Sequence, residues 1–101
     1  MNWNEHVAVV TGAGSGIGQG IAERFAEVGA QVVIAEINQA RGQAVQDICQ
    51  DQHGRGLFVQ TDVSKAADCK TLVDKTLAEY GRVDTLVNNA GVNFVKPTLE
   101  M

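Results

Sequence analysis

The residues with the clearest chemical potential in this chain are the small ones at 11–18, TGAGSGIG. They join a short apolar run to a segment of helical periodicity, so the chain must turn sharply between a strand and a helix. Glycines permit such a turn and let a ligand approach the main chain closely. The free N–H groups at the start of the helix would face an anion, which the helix dipole also favours. The segment therefore predicts a cradle for a phosphate or pyrophosphate group.

The spacing within this segment narrows the type of cradle. It reads Thr-Gly-x-x-x-Gly-x-Gly at Thr11, Gly12, Gly16 and Gly18. It is not the common G-x-G-x-x-G fingerprint, because Ile17 occupies the position of the third glycine. No Gly-Lys-Ser/Thr follows, which excludes a P-loop.

Polar or glycine-containing groups also follow the other apolar runs. Glu36 ends the second run, Asp62 and Val63 follow the third, and residues 88–91 (NNAG) follow the fourth. The carboxyl ends of parallel strands share one edge of a sheet, and ligands bind in the crevice there. We therefore expect all four groups to meet in one site.

The elements that position these groups follow from the apolar pattern. Continuous apolar runs predict strands at 7–10, 31–35, 57–59 and 83–87, and helical periodicity fills the segments between them. Asn38 and Ser64 are the predicted N-caps of the second and third helices. Gly29, Gly54 and Gly81 mark the helix ends.

The order βαβαβαβ predicts an α/β fold, an open parallel sheet with helices on both faces. If strands one to three step in one direction, right-handed crossovers place their two helices on one face. The third helix then crosses back to set strand four beside strand one, which gives the order 3-2-1-4 with the helix at 64–81 on the opposite face. Cys49 and Cys69 then lie on opposite faces, so we expect no disulfide between them. Their spacing also fits no metal site.

The composition limits the class of protein. The chain has 101 residues, 45% of them hydrophobic, with a net charge of −4. This length fits a single domain at 1–101, and the acidic balance argues against a nucleic-acid partner. The N-terminus carries no basic and apolar leader, and no run is long enough for a membrane span. These features predict a cytoplasmic protein without a membrane partner.

Taken together, the motifs at 11–18, 62–63 and 88–91 resemble those of the short-chain dehydrogenase/reductase family, in its non-extended branch. The resemblance covers the whole chain and implies a Rossmann-type fold, here truncated to an incomplete dinucleotide-binding domain. It also implies a set of cofactor contacts. These are Gly12, Ser15, Gly16, Ile17 and Gly18 at the pyrophosphate and its ribose, Asp62 and Val63 at the adenine, and Asn89, Ala90 and Gly91 near the nicotinamide ribose. Thr11 and Asn88 would brace the motif loops.

Glu36 is the residue that selects the form of the cofactor. It lies eighteen residues after Gly18, where an acid accepts hydrogen bonds from the adenosine ribose. The same carboxylate repels a 2′-phosphate, and positions 15 and 37 are Ser and Ile, neither of them basic. The sequence thus predicts NAD(H) over NADP(H). The family more often has the shorter Asp here.

The catalytic group of the family is missing from this chain. Its reaction moves a hydride between nicotinamide and an alcohol or carbonyl, and needs a Tyr, a Lys four residues later and a Ser. The only tyrosine is Tyr80, which is followed four residues later by Asp84 and lies on an apolar helical stripe. We therefore predict no catalytic residue here. The chain is expected to be the N-terminal portion of a longer, homo-oligomeric oxidoreductase and to be inactive alone, with the strand at 83–87 left as an apolar edge.

Two other classes of protein share some of these features. An S-adenosylmethionine-dependent methyltransferase also uses a G-x-G-x-G turn, an acid after strand two and an acid after strand three. Against it, Thr11 stands where such enzymes usually have an acid, and NNAG is not their fourth motif. A non-catalytic nucleotide-binding module would explain the missing Tyr and Lys, but not the apolar edge.

Overall fold

The computed structural model describes residues 2–89, and all structural statements below concern that part of the chain. After a short 3-10 helix at Trp3–Glu5, strands and helices alternate as predicted. The strands are β1 Val7–Thr11, β2 Gln31–Glu36, β3 Leu57–Gln60 and β4 Thr85–Asn88. The helices are α1 Gly16–Glu27, α2 Gln39–His53 and α3 Ala66–Tyr80.

The four strands form one parallel sheet in the order β3-β2-β1-β4, which confirms the predicted topology. Thr11, the last residue of β1, pairs with Ala35 of β2 on one side and with Asn88 of β4 on the other. The strand order reverses between β1 and β4, and ligands bind at such a point in open α/β sheets. The glycine-rich turn begins directly after Thr11.

Alternation along the strands divides the core between the two faces of the sheet. On one face, Val10 and Ile34 pack with Ala22 of α1 and Val45 of α2. On the other face, Val9, Val33, Ala35 and Val59 pack with Leu72 of α3. Side chains of successive strand residues point to opposite faces, so both layers of helices are needed to bury these strands.

The predicted helix ends are confirmed except at the start of α3. The Asn38 side chain accepts a hydrogen bond from the Arg41 N–H at 2.9 Å, and Gly54 and Gly81 are left-handed at the helix C-termini. The prediction that Ser64 caps α3 is wrong, because Lys65 is at the cap position and makes no side-chain bond there. Ser64 instead donates both its N–H and its hydroxyl to Asp62.

The fourth strand begins two residues later than predicted. Asp84 pairs with Val7 through its backbone N–H and through its carboxylate, each at 2.8 Å. The Arg82 guanidinium also donates to the Asp84 carboxylate at 2.7 Å. These contacts hold the pKa of Asp84 below its usual range, with Arg82 as the largest cause. The two bonds to Val7 hold the residue before β4 against the start of β1, and regular strand pairing begins at Thr85.

The apolar stripe of α3 is only half covered in the described part of the chain. Leu72 and Thr76 are buried, but Val73 and Leu77 are 49% and 45% exposed. Leu86 of β4 is also 49% exposed. Val73 and Leu86 line one pocket between α3 and β4, the edge strand of the described sheet, which agrees with the predicted apolar edge.

The two cysteines are separated as the topology predicts. Cys49 is buried in the α1–α2 face, whereas Cys69 belongs to α3 and donates to the Val63 carbonyl. Both are free thiols, and burial raises the pKa of Cys49 to about 11. Over residues 2–89 no helix is long and apolar enough to cross a membrane. No group of His, Cys, Asp and Glu side chains suited to a metal ion occurs over the same residues.

Two helical glycines offer a test of this packing. A methyl group at Gly42 in α2 would overlap the Phe58 ring, with its nearest atom 2.1 Å away, whereas Gly20 in α1 faces open space. We expect Gly42→Ala to lower the free energy of unfolding by about 1–3 kcal/mol through overpacking. The matched control Gly20→Ala should raise it by about 0.5–1 kcal/mol through helix propensity. Urea denaturation measures both values, and equal effects would contradict the packing of α2 on β3.

Candidate functional site

The first turn of α1 presents unpaired backbone donors at the carboxyl edge of the sheet. The chain turns through Gly12 and Gly16, whose φ angles of 64° and 61° are in the left-handed region that favours glycine. Ser15 is extended at the N-cap and makes no capping bond. The N–H groups of Gly16, Ile17 and Gly18 donate to no acceptor within residues 2–89. Such a group of donors, at the positive end of a helix, is suited to a phosphate.

A close contact between α1 and the turn fixes the position of these donors. A side chain at Gly18 would lie 2.2 Å from the Gly12 carbonyl oxygen and 2.7 Å from Asn89 Nδ2. The helix can approach β1 so closely only because position 18 has no Cβ. Ile17 beside it is 76% exposed, so the mouth of the turn is open to a ligand.

Residues after β4 hold the turn from the other side. The Asn89 side chain donates to the Gly12 carbonyl at 3.2 Å, and its N–H donates to Thr11 Oγ1 at 2.9 Å. The Thr11 hydroxyl in turn lies 3.3 Å from the Val87 carbonyl and from Asn88 Oδ1. The predicted bracing by Thr11 and Asn88 is therefore present in the structure. Asn89 also braces the turn, which residue type alone did not reveal.

Glu36 is at the end of β2, as predicted, but its carboxylate is already engaged. Glu36 as a whole is only 8% exposed. Oε1 accepts the Gly14 N–H and Oε2 accepts the Asn38 N–H, both at 2.9 Å. No ion pair reaches Glu36 from the residues described here. Each oxygen can accept a further hydrogen bond, so the carboxylate is held in place and can still bind a donor from a ligand.

Asp62 follows β3 and is shaped by a local turn. Its Oδ1 accepts the Ser64 hydroxyl at 2.6 Å and the Ser64 N–H at 3.0 Å, and its own N–H donates to Asp68. The Ser64 hydroxyl is the main cause that lowers the pKa of Asp62. Among residues 2–89, Oδ2 of Asp62 and the N–H of Val63 have no hydrogen-bond partner. One acceptor and one donor thus remain for a ligand at this strand end.

The structure brings two of the predicted groups into direct contact with the glycine-rich turn, Glu36 at Gly14 and Asn89 at Gly12. Asp62 and Val63 lie at the same edge, after the neighbouring strand β3, without bonding to the turn. Ala90 and Gly91, and the segment 94–101, lie outside the described residues. The Gly14 and Asn38 bonds to Glu36 and the Asp68 bond to Asp62 were not predicted, since they depend on side-chain direction.

Tyr80 lies away from this edge, as expected of a packing residue. It ends α3, where the chain returns to the start of β4, and packs against the cluster that contains Val59 and Leu72. Burial raises the pKa of Tyr80, and the neighbouring Glu79 adds to the effect. Asp84, four residues after Tyr80, is not among the causes of this shift. A phenol with a raised pKa is poorly suited to acid–base catalysis.

Comparison with known proteins agrees with this geometry. The family model described as short chain dehydrogenase matches residues 6–101. A Thermotoga maritima protein named as an uncharacterized oxidoreductase is 48% identical over 94 residues, which are 93% of this chain and 37% of that protein. This chain belongs to the short-chain dehydrogenase family, and it spans about a third of the length of the curated relatives it matches.

Two solved structures share the fold closely. The 3-ketoacyl-(acyl-carrier-protein) reductase from Brucella melitensis, complexed with NADH, has a TM-score of 0.74 and 43% identity. The match covers 80% of this chain and 32% of that one. A short chain dehydrogenase/reductase from Burkholderia phymatum, in complex with NAD, has a TM-score of 0.81 and 34% identity, covering 85% of this chain and 31% of that one.

The Asp62 turn gives a pH prediction. We expect Ser64→Ala to raise the pKa of Asp62 toward the ordinary aspartate range. The substitution removes the hydroxyl that donates to the ionised carboxylate and leaves the bond from the residue 64 N–H. The stabilising effect of Ser64 should be present at neutral pH and disappear as the pH falls through the folded pKa of Asp62. Carboxyl ¹³C NMR titration measures the shift. Ser15→Ala is the control, and an unchanged Asp62 titration in Ser64→Ala would refute this role.

Proposed function

We propose that this chain binds NAD(H) and supplies the cofactor-binding region of an oxidoreductase. The enzyme would move a hydride between nicotinamide and an alcohol or carbonyl substrate, and would act as a homo-oligomer. The observation that supports this most strongly is the set of unpaired N–H groups at the start of α1, with a buried carboxylate held beside them at the end of β2. The NADH and NAD complexes of the two similar structures support the same assignment.

The described residues fit a dinucleotide in a consistent direction. The pyrophosphate would lie on the N–H groups of Gly16, Ile17 and Gly18, beside open space at position 16. The adenosine end would extend across β2 toward β3, so that the ribose meets Glu36 and the adenine meets Asp62 and the Val63 N–H. The nicotinamide end would extend toward β4, where Asn89, Ala90 and Gly91 would lie near its ribose. Gly12 and Ser15 would complete the contacts to the pyrophosphate.

The bound cofactor would supply the hydride chemistry, and the role of the described residues is to hold and orient it. The short turn between β1 and α1 fixes the pyrophosphate, since its donors belong to a helix packed directly on the sheet. Asn89 ties the turn to the end of β4. We propose residues 1–101 as a single, incomplete dinucleotide-binding domain, and assign no residue of the described part to proton transfer.

Glu36 favours NAD(H) over NADP(H) on electrostatic grounds. Glu36 is buried and has no ion pair within residues 2–89, and we take a 2′-phosphate to lie about 4 Å from its carboxylate. At an effective dielectric of about 20, the repulsion is roughly 4 kcal/mol per unit charge before screening by salt. A neutral ribose instead donates its hydroxyl hydrogens to the same oxygens.

The methyltransferase reading is not favoured by the family match, and a nucleotide-binding module without an enzymatic role has no specific support in the structure. Both remain distinguishable by ligand. S-adenosylmethionine carries no pyrophosphate and offers the α1 donors a single carboxylate at most.

A side-by-side titration tests the proposal. We expect the chain to bind NADH about tenfold or more tightly than NADPH, and to bind S-adenosylmethionine much more weakly than either. Glu36→Ala should weaken the binding of NADH, because the ribose hydroxyls lose an acceptor. It should also narrow the difference in affinity between NADH and NADPH, because the repulsion of the 2′-phosphate is removed. Nicotinamide fluorescence and isothermal calorimetry measure the dissociation constants.

Asp51→Ala is the matched control for this experiment. Asp51 is exposed on α2, and its carboxylate makes no hydrogen bond within residues 2–89. Its removal changes the net charge equally but should leave the NADH to NADPH ratio unchanged. NADPH binding as tight as NADH binding to the unmodified chain would contradict the assigned preference.

A further inference from the structure

The Glu36 side chain occupies space that any residue other than glycine at position 14 would fill. A methyl group at Gly14 would lie 2.6 Å from Oε1 of Glu36 and 2.7 Å from both its Cδ and its Cγ. The overlap therefore involves most of the side chain and not only its tip. Gly14 itself is buried, so a new side chain has little room to turn away.

The backbone at Gly14 does not itself demand glycine. Gly14 is not among the residues with a positive φ angle, in contrast to Gly12 and Gly16 in the same turn. Alanine could adopt its conformation without strain. The requirement for glycine at position 14 thus comes from the position of the Glu36 side chain.

Glu36 cannot give way without losing its own contacts. Its carboxylate accepts the Gly14 N–H in a buried hydrogen bond and the Asn38 N–H in a partly buried one, each at 2.9 Å. Hydrogen bonds to an ionised acceptor are the stronger ones, and a buried N–H left without a partner is costly. Moving the carboxylate would therefore disturb both the glycine-rich turn and the start of α2.

We propose that Gly14 is a specificity-determining position that acts through Glu36. Its lack of a side chain lets a glutamate at the end of β2 fold back onto the turn, which holds the carboxylate ready for the adenosine ribose hydroxyls. This inference rests on the proposed binding of NAD(H). An aspartate at position 36 is one methylene shorter, so it would not reach as far into the space beside position 14 and would tolerate a larger residue there.

A double-mutant cycle on the full chain tests the pairing. The four proteins are the unmodified chain, Gly14→Ala, Glu36→Asp and the double variant. We expect Gly14→Ala alone to lower the thermal midpoint without ligand, to weaken NADH binding about tenfold and to narrow the NADH to NADPH ratio. In the E36D background, the same G14A change should cost less than about threefold in NADH affinity and should not lower the midpoint further.

The control and the outcomes separate this inference from the proposed function. Gly20→Ala, at a position facing open space, should leave the affinity for NADH unchanged. If the unmodified chain binds NADH but G14A has the same cost in both backgrounds, the role of Gly14 is overturned and the proposed function stands. If the unmodified chain binds neither dinucleotide, the proposed function is overturned, and the assignment of Gly14 with it.

Discussion

The contact between the first turn of α1 and the end of β1 is the constraint on which the rest of the site depends. Only a glycine at position 18 lets the helix come within reach of the Gly12 carbonyl, where an added Cβ would lie 2.2 Å from the oxygen. That approach places the free N–H groups of the helix directly above the sheet edge. Thr11 and Asn89 then secure the turn from the β4 side, so the donors are fixed before any ligand arrives.

The second consequence of this close packing is electrostatic. A carboxylate at the end of β2 is brought against the turn, where backbone N–H groups of Gly14 and Asn38 satisfy it in place of a basic side chain. Backbone dipoles stabilise a carboxylate without adding the opposite net charge that a basic side chain would bring. The same edge therefore carries donors suited to a pyrophosphate and an acceptor suited to ribose hydroxyls, which is the basis of the proposed preference for NAD(H).

The sequence was sufficient to predict the topology and the edge at which the site forms. Apolar runs and glycine stops indicate the elements locally, as at Gly54 and Gly81. With strands one to three stepping in one direction, the crossover rule then gives the strand order. Contacts that depend on side-chain direction were not predictable. Ser64 is a good capping residue by type but bonds to Asp62, and Glu36 bonds to Gly14 across 22 positions of sequence. The apolar stripe of α3 is typical of a buried helix face, but Val73 and Leu77 on it are about half exposed in the described part of the chain.

The most direct measurement is the backbone amide spectrum of the ¹⁵N-labelled chain during titration with NADH. The N–H groups of Gly16, Ile17 and Gly18 should show the largest chemical-shift changes, with smaller changes at Val63 near the adenine. ADP-ribose, which lacks the nicotinamide ring, should reproduce the changes at these residues. Saturable binding that leaves the amides of residues 12–18 unshifted would contradict the central claim that the first turn of α1 holds the pyrophosphate.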